Sequence, residues 1–252
     1  MKVWDTATGD RIRNVGSHTD PLQDVSWSPD GERIAATSLD GSAKVFDAIT
    51  EEELLTLAGL KDTRMNNTVH AWSPEGDRIA IASFFGSTAT VWDATTGEEL
   101  LSLLEFEVPV TSVLWSADGT RIITHSEDSI GRVWDAATGE ELVTFSRHTS
   151  SVWGMSRSPA GDRVVTSSYD GTARVWDIDT GAELALYSLG GLLYAVDWSP
   201  DGTRIVVSST DGTAKVLPAW QTTQELIDHA KEYCVVRELT AEEREQFGLL
   251  AR

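Results

Sequence analysis

The chain alternates short apolar runs with turn-forming clusters and takes up a helical period only near its end. Five runs carry apolar residues on both parities: "RIAATS" from Arg33, "RIAIAS" from Arg78, "RIITHS" from Arg121, "RVVTSS" from Arg163 and "RIVVSS" from Arg204. A strand with that pattern is covered on both faces. Each run follows a turn such as "SPDG", in which Pro presets φ at the second position and Gly closes the reversal; "DATTG" and "DG" supply two more. The pattern predicts units of four short strands, with sheets stacked against sheets.

The units repeat. "KVWD" at 2–5 returns as "KVFD" at 44–47, "TVWD" at 90–93, "RVWD" at 132–135 and 174–177, and in degenerate form as "KVLP" at 215–218. Between successive copies lie "VSWSPDGERI" from Val25, "HAWSPEGDRI" from His70, "VLWSADGTRI" from Val113, "MSRSPAGDRV" from Met155 and "VDWSPDGTRI" from Val196. Two phrases thus share one period of about forty-two residues. A four-stranded unit of that size cannot bury two faces alone, whereas a ring of such units packs each sheet between its neighbours.

Over residues 2–218 these phrases resemble the tryptophan-aspartate (WD) repeat propeller family. The fold class this implies is all-β: a β-propeller of four-stranded antiparallel blades, five repeats plus a partial one. "MKVWD" is in register with the end of a third strand, so the pattern starts in mid-blade. Two arrangements follow. A fourth strand at 10–15 closes a five-bladed ring beside the last three strands, or the chain is a fragment of a larger propeller; the usual family count of about seven blades favours the fragment.

After Leu217 the repeat gives way to a helical pattern, which divides the chain into 1–218 and a C-terminal segment, 219–252. Thr222 with Glu225 reads as a capping box, Leu226, Ile227, Ala230, Tyr233 and Cys234 fall on one helical face, and Thr240 with Glu243 starts a shorter helix that Gly248 ends. This segment resembles the end of large bacterial WD-repeat proteins whose upstream regions carry signalling or nucleotide-binding domains. The resemblance implies a bacterial origin.

Composition narrows the function. No run approaches the length of a membrane span, the first twenty residues contain no secretory signal, and the lone Cys234 forms no internal disulfide, so a cytoplasmic location is expected. A formal charge of −20 disfavours nucleic acid and anionic lipid and points to a basic partner, if the partner is electrostatic at all. Phosphate loops, dinucleotide fingerprints, zinc-protease motifs and nucleophile elbows are missing from the sequence, and no cofactor or metal is expected.

The family resemblance supplies a structural tetrad: His before the first strand, Ser or Thr in the second, Asp in the following turn, Trp in the third. Carried over by position, one repeat holds all four, as His148, Thr166, Asp170 and Trp176. The first repeat keeps His18 and Asp40 but has Ala36 and Phe46, the third has Thr124, Asp128 and Trp134 without the His, the second places Gly86 where Asp belongs, and the fifth keeps Asp211 alone. Although a Thr, a His and an Asp in one set suggest a catalytic triad, Thr166 lies in an apolar strand, where no substrate reaches it. Arg33, Arg78, Arg121, Arg163 and Arg204 are expected to pair with the Asp of "VWD" in the same repeat.

On the opposite face, where family partners usually dock, the sequence places Leu39, Phe85 and Tyr169 before the turn Asp or its replacement, and Trp153 and Tyr194 at first-strand entries. Large amphipathic aromatics at loop ends are what an interface core uses. Glu98, Glu99, Glu140 and Glu141 form a separate acidic rim. The expected function is a non-catalytic scaffold that presents these loops to a protein or peptide, with self-association through open blade edges. The alternative is the sensor or regulatory propeller of a larger bacterial signalling protein whose effector domain lies upstream.

Overall fold

The computed structural model of the chain describes residues 1–57, 68–83, 87–103 and 108–219. The helical segment and the boundary read after residue 218 fall almost wholly on 220–252, outside the described residues, as do Phe85 and Gly86.

Strands β1 (Lys2–Trp4) and β2 (Arg11–Asn14) make a two-stranded sheet. Blade one follows as β3 (Leu22–Trp27), β4 (Arg33–Ser38), β5 (Ala43–Asp47) and β6 (Glu53–Leu57). Blade two is β7 (Thr68–Trp72), β8 (Arg78–Ser83), β9 (Thr88–Asp93) and β10 (Glu99–Leu103). Blade three is β11 (Val110–Trp115), β12 (Arg121–Ser126), β13 (Gly131–Asp135) and β14 (Glu141–Phe145). Blade four is β15 (Val152–Arg157), β16 (Arg163–Ser168), β17 (Thr172–Asp177) and β18 (Glu183–Ser188). Blade five has three strands, β19 (Leu193–Trp198), β20 (Arg204–Ser209) and β21 (Ala214–Pro218). Every sheet is an antiparallel meander, and among the described residues no helix occurs.

The turns explain the meander. In blade one the Gly31 N–H donates to Ser28 O, Gly31 adopts φ of 72°, and the Ser28 hydroxyl accepts from the Arg33 N–H that opens the next strand. The same serine contact recurs at Arg78, Arg121, Arg163 and Arg204. In the "VWD" turns the Asp side chain is the anchor: Asp93 accepts from the N–H groups of Thr95 and Thr96, and Asp177 from those of Asp179 and Thr180.

That anchoring corrects the expected arginine pairing. The carboxylates are already filled by their own turns, and Arg33, Arg78 and Arg121 reach across to the following blade, whereas Arg163 still lowers the pKa of Asp177 in its own repeat by its charge. Arg33 lies 4.9 Å from the Trp72 ring centre and donates to Ala94 O; Arg78 lies 4.6 Å from that of Trp115 and donates to Gly119 O. In the seam between blades three and four the tryptophan position is held by Arg157, and Arg121 bonds Asp179 of blade four. Burial holds the half-buried Arg157 guanidinium below its ordinary pKa.

Apolar clusters fill each seam in turn. Val3 packs against Ile34 and Phe46, Val45 and Leu57 against Trp72 and Ile79, Val91 and Leu103 against Val113 and Trp134, Val133 and Phe145 against Val164 and Trp176, and Val165 and Val175 against Val196 and Trp198. Strands β4, β8, β12 and β16 are accordingly buried on both faces. Strand β20 departs from that expectation: Val206 is 41% exposed, and among the described residues no sheet covers the far side of blade five. Strand β2 is paired with β1 and not with β21, so the five-bladed closure is not the arrangement found.

The stacked, carbonyl-bonded arginine sets the strength of a seam. Arg78→Ala should lower unfolding free energy by about 1–2 kcal/mol in urea titration, and Arg78→Lys should restore little of it, since an ammonium lacks the planar stack and the fork. An unchanged midpoint in both would show that apolar burial alone holds the blades.

Candidate functional site

Two constellations come from the chemistry-bearing residues, one buried and one at the surface. In blade four the Trp176 indole donates to Thr166 Oγ1 at 2.8 Å, Thr166 Oγ1 lies 2.8 Å from His148 Nε2, and His148 Nδ1 lies 2.9 Å from Asp170 Oδ2. A neutral imidazole protonated on Nδ1 satisfies the whole line: the Thr166 hydroxyl donates to Nε2, and Nδ1–H donates to the carboxylate. Asp170 also accepts from the Thr149 N–H and the Thr172 hydroxyl. Burial opposes its ionisation, but these donors and His148 outweigh it and hold its pKa at about 2. Burial likewise keeps His148 below its ordinary value, against the pull of Asp170.

The other blades hold fragments of this line. His18 bonds Asp40 at 3.1 Å, but with Ala36 and Phe46 in place of Thr and Trp its Nε2 is buried without a partner. In blade two Ile81 fills the threonine position, and Trp92 donates to Thr90 on its own strand. Blade three keeps the Trp134 to Thr124 bond at 2.8 Å, while Asp128 turns to Arg132. In blade five Asp211 serves only its own turn, through Thr213. Thr166 is fully buried, so the hydroxyl of the one complete line meets no substrate.

The second constellation is aromatic. Strand β15 pairs Val152 with Ser168 and Gly154 with Ser167, which leaves Trp153 out of register; β19 pairs Leu193 with Ser209 and then Val196 with Val207, leaving Tyr194 and Ala195 unpaired. Bulges of this kind re-aim side chains at a sheet rim. The Trp153 and Tyr194 rings stack, 6.1 Å apart at 16°, and Tyr169 lies 5.6 Å from Trp153. Tyr194 is 52% exposed, and the other two are half-buried.

Gly154, which the sequence reading missed, makes the stack possible. A Cβ there would fall 2.9 Å from Tyr194 O and 2.8 Å from Val196 N, so only glycine lets β19 lie against β15 this closely. Its signal was present in "VWGM", since a glycine inside a strand marks a bulge or a close backbone approach. Leu39, 36% exposed, stands on blade one and joins no part of the cluster. Glu98, Glu99, Glu140 and Glu141 are exposed at the starts of β10 and β14, with Glu141 also 3.5 Å from Arg132.

The family described as WD domain, G-beta repeat, matches residues 9–47, 98–135, 139–177 and 186–216, together more than half of the chain. The chain belongs to the WD-repeat family. The unmatched stretch takes in the first three strands of blade two, where Ile81 has replaced the threonine, yet the four-stranded sheet is intact. Similar proteins are the guanine nucleotide-binding protein subunit beta of Zea mays, 26% identical over 136 residues (51% of this chain, 36% of that protein), and autophagy-related protein 16 of Arabidopsis thaliana, 26% identical over 119 residues (47% and 23%). Eukaryotic translation initiation factor 3 subunit I of Culex quinquefasciatus is 32% identical over 68 residues (27% and 20%). The matched part of this WD-repeat chain spans between a fifth and about a third of these relatives' own length. WD-repeat proteins of this kind are typically non-catalytic scaffolds for protein interaction.

His148→Ala should cost about 1–3 kcal/mol in denaturant titration, and His18→Ala clearly less, since His18 already leaves one nitrogen unpaired; equal losses would contradict the difference between the blades. Burial also pushes His125 down to about 3, so two histidines are held neutral in the fold, each with a pKa below its unfolded value of 6.5. The unfolded chain therefore binds more protons once pH falls through about 6.5, and their stability contribution, full above that pH, is lost on acidification; that of Asp170 is lost only between about pH 4 and 2. His125→Gln should flatten the stability profile between pH 6.5 and 4 by up to about 1.4 kcal/mol per pH unit. A profile identical to that of the unsubstituted chain would show that His125 does not titrate on unfolding.

Proposed function

We propose that this chain is a non-catalytic platform on which blades four and five present a protein-binding patch built from Trp153, Tyr169 and Tyr194. The observation that carries the reading is the stack itself, with two bulged strand entries and one turn residue set in contact and Tyr194 left open. Rings already held against one another lose little freedom on binding, which is the property of an interface anchor. The net charge of −20 favours a partner that is basic around an apolar or aromatic centre. The open blade edges are a separate surface, and self-association through them is compatible with the same role.

The test is capture of partners from lysate by the unsubstituted chain, followed by affinity measurement with the partner identified. Tyr194→Ala and Tyr169→Ala should each weaken that affinity at least tenfold, with the melting temperature within about 2 °C of the parent. Gly154→Ala, which pushes β19 off β15, should lose binding with both tyrosines still present. Raising salt should weaken a basic partner further. A capture profile unchanged by Trp153→Ala, Tyr169→Ala and Tyr194→Ala together would sink the patch and move attention to the rim at Glu98, Glu99, Glu140 and Glu141.

A further inference from the structure

Among the described residues three histidines lie within ion-pair distance of an aspartate, and one pair is unlike the others. His148 Nδ1 is 2.9 Å from Asp170 Oδ2 and His18 Nδ1 is 3.1 Å from Asp40 Oδ2, each aligned as a hydrogen bond. His70 Nδ1 lies the same 3.1 Å from Asp24 Oδ2, yet the ring axis misses the oxygen, and Nδ1 is buried without a hydrogen bond. This pair spans the seam between blades one and two. Asp24 and Ser26 stand two residues apart on β3, so they share a face, and the His70 side chain, 1% exposed, reaches both from β7. Ser26 Oγ is 2.7 Å from His70 Nε2, and the His70 backbone N–H donates to Asp24 Oδ2 at 3.1 Å. Neither neutral tautomer is satisfied. With the proton on Nδ1, an N–H is buried off the line of its acceptor; with the proton on Nε2, a bare lone pair faces a carboxylate oxygen.

We propose that His70 Nδ1 and Asp24 Oδ2 form a binding site for a divalent transition-metal ion of the zinc type. A cation shared by the two atoms answers the lone pair and the carboxylate together. The spacing fits: with metal bonds of about 2.0–2.1 Å, two ligand atoms on one tetrahedral ion lie roughly 3.0–3.4 Å apart. The ring axis then passes beside the oxygen, which is the misalignment seen here. An imidazole nitrogen in the ligand set selects zinc, nickel or copper over magnesium and calcium, which take oxygen. Ser26 accepts the Nε2–H and so fixes the tautomer that leaves Nδ1 free to coordinate. Asp24 is 35% exposed, which lets water reach the remaining positions, and among the described residues no group of three His, Cys, Asp or Glu side chains forms a fuller site. The ion is therefore exchangeable, and it ties blade one to blade two. No spaced motif announces the site, because its two ligands lie 46 residues apart on different blades.

Calorimetric titration of the full chain with zinc chloride tests this, after treatment with a chelator and in excess magnesium chloride, which occupies the acidic surface. The unsubstituted chain should bind zinc in this medium and melt at a higher temperature with it. Asp24→Asn, which keeps an oxygen for the His70 N–H, and His70→Gln should each weaken binding at least tenfold and lose the thermal shift. Ser26→Ala should weaken it by a smaller factor. His229→Ala with Cys234→Ser, outside the described residues, should change nothing. A chain that binds no zinc overturns the proposal. So does binding that survives either Asp24→Asn or His70→Gln undiminished, or binding that the His229 and Cys234 substitutions abolish, which would place the ion elsewhere.

Discussion

Everything in this fold depends on a strand that is apolar on both sides. The second strand of blades one to four, from "RIAATS" to "RVVTSS", is covered on both faces, so none of these blades is stable by itself and each must lie against its neighbours. The short meander solves the local problem, since tight turns at "SPDG" and "DATTG" satisfy their backbone groups within a few residues. The global problem is passed to the seams. There the apolar clusters do most of the work, and the arginines orient it by reaching from one blade to carbonyl groups and an indole of the next.

Much of this was legible in the residues. Turn chemistry and the two interleaved phrases placed the strands because both signals are local: Pro and Gly fix the reversal, and apolar parity fixes the burial. The complete line in blade four was legible for the same reason, as four side chains at fixed offsets within one unit. What could not be read was the direction in which a side chain leaves its strand. The arginines face the next blade because their strand position points there, while the nearby carboxylates are consumed by N–H groups two and three residues on. The register does set each pair directly opposite, Arg33 with Asp47 and Arg78 with Asp93, so what separates them is competition from better partners.

The aromatic patch shows a middle case. The loop positions of Trp153, Tyr169 and Tyr194 follow from the repeat, but their contact depends on two bulges and on Gly154, which lets one backbone rest on another. Repeat position alone treated Leu39 as equivalent to Tyr169, and the structure leaves it alone on blade one. A surface cluster is thus a property of two adjacent blades, and it arises where their common seam is tightest.

The unpaired Nε2 of His18 has a consequence for how such repeats change over time. In blade four each polar member is useful because the next is present: without the threonine, a tryptophan N–H would be buried with nothing to accept it, and phenylalanine would become the better residue. Blade one has both replacements. Restoring the threonine alone would bring back one bond of the line, and restoring the tryptophan alone would bury a bare donor. The two replacements therefore protect one another against reversal, and the blade that carries both keeps only the His18–Asp40 half of the line.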